Sequence, residues 1–195
     1  VLTKANYPGK SPALKTGFSG YNGASGLYVP EYTMAEYPFF ITFESMSRLP
    51  EYMALFPPAF SLPCENMTVD NSKGCVAGNY YCDTNLWSRS TCDRGHWVPP
   101  QCQGTDPGSG RPRVSFCKEL IMVDPNWDTG FFEGQILMFK LNFTLAYTGT
   151  TKFPTVVLDY MARKQHILFY GFYPDSFVVS TKSKRVGFPT PTPEC

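Results

Sequence analysis

The chain has 195 residues, 43% of them hydrophobic and 16% aromatic, which is enough for one domain with a substantial core. A formal charge of +1 without a long Lys/Arg run gives no electrostatic reason to bind nucleic acid, and no apolar run approaches the roughly 20 residues of a membrane span. Eighteen prolines and 16 glycines imply many turns and argue against a helical bundle.

In chain order, residues 1–20 are polar and punctuated by Gly and Pro, and a Gly-rich turn follows at Gly20, Gly23 and Gly26. Residues 27–29 form a short extended run that stops at Pro30. Residues 36–43 read as aromatic-rich extended chain. Residues 44–56 read as a helix, with Met46, Leu49, Met53 and Phe56 three and four apart.

Residues 62–118 change character. They hold Cys64, Cys75, Cys82, Cys92, Cys102 and Cys117, with little apolar periodicity, so we read them as a disulfide-rich, loop-dominated insertion. The close Cys pairs of a zinc site are absent, and no metal site or cofactor is expected; a site of Cys92, His96 and Cys102 is the weaker alternative to disulfides. Six cysteines allow 15 pairings, and the sequence does not choose among them. Cys195, the seventh, is read as either free or bonded to another chain or to a missing part of the same polypeptide. Residues 103–113 are the most linker-like segment.

Two acceptor triplets begin at Asn66 and Asn142. With the cysteines they indicate a glycoprotein that is secreted or displayed on the extracellular face of the cell surface. Val1 is read as an internal start, because no signal peptide is visible.

Periodicity returns at residues 119–123, which are short and apolar. Residues 130–147 support two readings. Strand alternation runs from Leu137 to Tyr147, whereas Phe131, Gln135, Met138 and Phe139 suit a helix before a shorter strand. In either reading Asn142 shares a polar side with Lys140 and Thr144. Residues 154–164 read as a helix with Pro154 in its first turn. Residues 167–170 and 177–180 read as buried strands, Lys182, Lys184 and Arg185 as a solvated basic loop, and residues 189–193 as an extended tail. Strand and helix alternate, which favours an α/β layer.

Two segments carry a family resemblance: GASGLYVPEYT at residues 23–33 and ARKQHILFYGFYPD at residues 162–175. Together with LNFTLAYTG at residues 141–149, they resemble extracellular solute-binding proteins of the glycine betaine/choline class. The resemblance implies a type 2 periplasmic-binding-protein-like lobe, built from residues 1–61 and 119–195 and interrupted by residues 62–118. Its two hinge crossings would fall near Val29 and Phe169. It also implies an aromatic box for a quaternary ammonium group. Tyr28, Phe172 and Asp175 match that family's positions, and Tyr21, Tyr32 and Tyr173 are neighbours; the family usually has Trp where Phe172 stands and often His where Asp175 stands. Asp175 also suits a turn cap after Pro174.

Catalytic motifs such as a nucleophile elbow, a phosphate loop or a zinc-protease helix are missing, and neither His96 nor His166 has an evident nucleophile partner. The missing motifs point to a non-enzymatic domain, and the resemblance implies that it binds a small organic solute. A structural glycoprotein subunit of an extracellular assembly is the alternative.

Overall fold

The computed structural model describes residues 23–38, 42, 46, 53–63, 66, 91–93 (backbone only), 96–124, 127–128 and 130–188. They are mixed α/β. The strands are β1 (Ala24–Val29), β2 (Thr91–Asp93), β3 (His96–Val98), β4 (Lys118–Met122), β5 (Phe143–Tyr147), β6 (Leu168–Tyr173) and β7 (Lys184–Arg185). The helices are α1 (Glu31–Glu36), α2 (Phe131–Met138), α3 (Gly149–Ala162) and α4 (Ser176–Ser180).

The described strands form one sheet in the order β2-β3-β5-β4-β6-β1-β7. Its centre is parallel: β4 lies between β5 and β6, with α2 and α3 as the connections. All five residues of β5 are buried, as expected for a parallel strand covered on both faces. Antiparallel partners flank this centre, β3 on β5 and β1 on β6. Tyr28 stands directly opposite Phe169, so the segments around Val29 and Phe169 are neighbours in space.

The end of the cysteine-dense stretch belongs to this sheet. His96 pairs with Ala146 and Trp97 with Leu145, and Trp97 is among the largest fully buried side chains. Cys102 and Cys117 form a disulfide that draws the chain after β3 back to the start of β4. It packs with Val98, Ala59 and Phe60 in a small cluster of its own. The linker-like segment between the two cysteines is a closed turn: Ser109 donates to the Asp106 carboxylate from both N–H and hydroxyl, each at 2.7 Å. These bonds hold the Asp106 pKa below its usual value. Cys64, Cys75, Cys82 and Cys195 lie outside the described residues.

Several local expectations are corrected. Of the two readings of residues 130–147, the helix followed by a shorter strand is the one observed. Helix α2 ends at Met138 because Lys140 adopts a left-handed conformation (φ 51°), and the N–H groups of Lys140 and Leu141 return to the carbonyls of Leu137 and Ile136. Thr144 is not on a polar side; it is completely buried, and its hydroxyl donates to the Lys118 carbonyl.

Helix α3 starts at Gly149 (φ 73°), so Pro154 lies inside the helix rather than in its first turn. Residues 176–180 are helical, not a strand. A four-residue apolar run carries no period of its own, and Asp175 decides the matter by capping the helix. The basic run is not wholly loop: Lys184 and Arg185 pair with Val29 and Tyr28 as β7. The expected helix over residues 44–56 falls mostly outside the described residues, although Met46 and Phe56 are buried in the core.

Candidate functional site

In open parallel α/β sheets ligands bind beyond the carboxyl ends of the strands, where connections diverge. Here β4 ends at Met122 and β6 at Tyr173. Around these ends lies a cavity of about 200 Å³, whose walls include Val123, Trp127, Phe153, Tyr170, Phe172 and Asp175. The turn after β4 supplies Trp127, which is 47% exposed and meets the Tyr170 ring edge-on at 6.1 Å.

The Tyr170 hydroxyl donates to Asp128 Oδ2 at 2.9 Å. Burial, together with the Asp128 carboxylate, pushes the pKa of that hydroxyl far up, so it stays a donor at neutral pH. On the other side Phe153 packs against Phe177 at 5.7 Å and Phe169 at 6.1 Å. Asp175 Oδ1 accepts the Phe177 N–H at 2.7 Å and caps α4.

A second layer supports this wall. Tyr28 packs beside Gly171, where a Cβ would come within 2.6 Å of the Tyr28 ring and 2.8 Å of Val178. Glycine is required there by this close approach. Tyr28 is only 3% exposed, and its hydroxyl has no hydrogen-bond partner among the described residues. Burial raises its pKa, partly opposed by Arg185.

The six residues named from the sequence are therefore distributed. Phe172 and Asp175 line the cavity. Tyr28 is core behind it, and Tyr173 is 53% exposed beside it. Tyr32 lies at the opposite end of β6, where its hydroxyl donates to the Gln165 carbonyl at 2.6 Å; burial raises its pKa to about 12. Tyr21 lies outside the described residues. Sequence reasoning missed Trp127 and Tyr170. The available signal was an aromatic residue beside Asp and Gly, in a turn directly after an apolar strand.

His96 is buried in the sheet, whereas His166 lines a separate cavity together with Asp159, Tyr160 and Arg163. His96 Nε2 lies 2.6 Å from Glu119 Oε1, both side chains are essentially buried, and Glu119 also accepts the Leu62 N–H. His166 Nδ1 is 3.0 Å from Thr33 Oγ1 and Nε2 is 3.4 Å from Glu36, with the ring centres of Tyr32 and Tyr37 5.8 and 5.5 Å from its own. Among the described residues no three His, Cys, Asp or Glu side chains gather as for a metal ion, and no helix is long and apolar enough to cross a membrane.

The sequence matches no protein-family model and no curated protein.

Proposed function

We propose that the chain is a non-catalytic, extracellular ligand-binding domain of a larger surface or secreted protein, and that its ligand is a small organic cation of the quaternary ammonium type. The aromatic cavity at the carboxyl ends of β4 and β6 carries this reading. Trp127, Tyr170 and Phe172 present ring surface, Asp175 lines the cavity, and Asp128 holds the Tyr170 hydroxyl behind it. Rings attract a desolvated cation through their quadrupole, by about 0.5–2 kcal/mol per contact. Pockets for drug-sized ligands run about 300–1,000 Å³. The smaller volume here suits a smaller solute. The Cys102–Cys117 disulfide supports an oxidising compartment.

Titration calorimetry with choline, glycine betaine and tetramethylammonium tests the proposal. Saturable heat that weakens in Trp127→Ala is the expected result. Its absence for all three ligands, or binding indifferent to Trp127, would overturn it.

A second reading is a structural subunit of an extracellular assembly. It draws on exposed apolar side chains near the same end: Trp127, Phe172 at 37%, Tyr173, and Val179 at 55%. Concentration-dependent self-association that Tyr173→Ser or Val179→Ser abolishes would favour it over solute binding.

A further inference from the structure

The acceptor triplet Asn142-Phe143-Thr144 spans the boundary between surface and core. The Asn142 side chain is exposed at the entrance to β5, whereas Phe143 and Thr144 are 0% exposed. Lys118 binds the triplet at two places: its N–H donates to the Asn142 carbonyl at 2.8 Å, and its carbonyl accepts the Thr144 hydroxyl at 3.3 Å. Both bonds lie at the start of the β4–β5 ladder, where Lys118 stands opposite Phe143.

Beside Asn142 opens a groove of about 330 Å³, lined also by Met53, Phe116, Lys118 and Lys140. Phe116 is 42% exposed, with the Arg111 guanidinium 5.2 Å from its ring centre.

We propose that Asn142 carries an N-linked glycan, that it is attached only before β4 and β5 pair, and that its first sugar then lies in the groove over Phe116. The inference rests on the secretory route proposed above. The donor is a lipid-linked oligosaccharyl pyrophosphate. Its sugar C1–O bond breaks with the electron pair leaving on the pyrophosphate. The Asn142 amide nitrogen forms the new C1–N bond and loses one proton to the transferase. That enzyme must grip the hydroxyl two residues beyond the asparagine and bend the triplet away from its surroundings. In the folded chain the hydroxyl is buried and the triplet's backbone is held in the sheet, so only chain with β5 unpaired can be a substrate. After folding, Asn142 remains on the surface. The groove beside it offers an aromatic ring to the apolar face of a sugar, which removes apolar area from water.

The chain is secreted from eukaryotic cells behind an added signal peptide and mapped by mass spectrometry after enzymatic deglycosylation in heavy-oxygen water. In parallel, folded and reduced-denatured chain made in bacteria are offered to purified oligosaccharyltransferase with its lipid-linked donor. Expected are an occupied Asn142 in the secreted chain and transfer to the denatured chain at least about tenfold faster than to the folded one, as local unfolding becomes limiting. Glycosylated chain should melt higher than Asn142→Gln, and Phe116→Ala should remove that difference while leaving the Asn142→Gln background unchanged.

Bare Asn142 in the secreted chain, with or without sugar on Asn66, overturns the site. Equal transfer to the folded chain overturns the order of events, and a melting difference that survives Phe116→Ala overturns the placement. The secretory reading is tested apart, by the redox state of Cys102 and Cys117 in chain taken from its native source. An oxidised pair beside a bare Asn142 sinks the glycan alone.

Discussion

His96 and Glu119 meet at 2.6 Å with side chains 1% and 0% exposed, and they join the edge of the cysteine-dense stretch to the first parallel strand. Glu119 also holds the Leu62 N–H, so one carboxylate ties β3, β4 and the segment around Leu62 together. Removing one partner strands the other polar group in the core. We expect His96→Ala or Glu119→Ala to cost about 3–5 kcal/mol in urea unfolding. The exposed Asp159–Arg163 pair is the control: its loss should cost no more than about 1 kcal/mol. Comparable costs at the two sites would contradict this account.

Glu133 sets a pH dependence. It is 5% exposed, and burial raises its pKa above the ordinary value of 4.5, while the Tyr147 hydroxyl bonded to it opposes that rise in part. The folded pKa exceeds the unfolded one, so the neutral acid is the form that folding favours. Its contribution is complete below about pH 4.5 and is lost as pH rises through the folded pKa. Glu133→Gln should be more stable than wild type at pH 7 and flatter across that window. Urea midpoints from pH 4 to 8 measure this; a wild type that gains stability relative to the variant as pH rises would refute it.

The Cys102–Cys117 bond closes a loop with a sequence separation of 15. Cross-linking a loop of that length stabilises by about 3 kcal/mol, chiefly by restricting the unfolded chain. The double replacement Cys102→Ser with Cys117→Ser should lower the unfolding free energy by about that amount. A loss below about 1 kcal/mol would mean that the loop stays ordered without the bond.

Three helices end the same way. Lys140, Lys164 and Lys182 all have φ between 51° and 56°, and the following N–H groups of Leu141, Gln165 and Ser183 reach back to Ile136, Tyr160 and Val178. A side chain at that position is strained, and glycine relieves it. Each Lys→Gly change should raise stability by up to about 1 kcal/mol in thermal melts. Lowered melting temperatures for all three would show that the lysine side chains contribute more than the strain costs.

Asp175 caps α4, and the proposed function would give it a second, separable role. Asn caps a helix about as well as Asp, whereas Ala loses about 1 kcal/mol. Asp175→Asn should therefore keep the fold's stability while weakening any cationic ligand, and Asp175→Ala should lose both. If Asp175→Asn binds tetramethylammonium as the wild type does, Asp175 is a cap only.

How much was legible follows from the range over which each feature is decided. The run Ile167, Leu168, Phe169 and Tyr170 is apolar enough to mark a buried strand by itself. Local order also gave the α/β alternation and the apolar segment that became β4. Residues 177–180 were misread because a run so short has no period, and the deciding cap is one side-chain bond. Phe172 and Asp175 were named through the family resemblance, and both line the cavity. Trp127 and Tyr170 are 43 residues apart, and nothing in either neighbourhood announces that their rings touch.

Apolar period and the order of the elements determined the α/β class of this protein, because burial acts on residue type wherever the residue falls. Tertiary structure decided which groups share a site. It placed β4 between β5 and β6, brought Trp127, Tyr170, Phe172 and Asp175 around one cavity, sent Tyr32 to the other end of the strand, and set His96 against Glu119. Those outcomes depend on strand order and register, which arise from the packing of the whole sheet and leave no trace in any short stretch of chain.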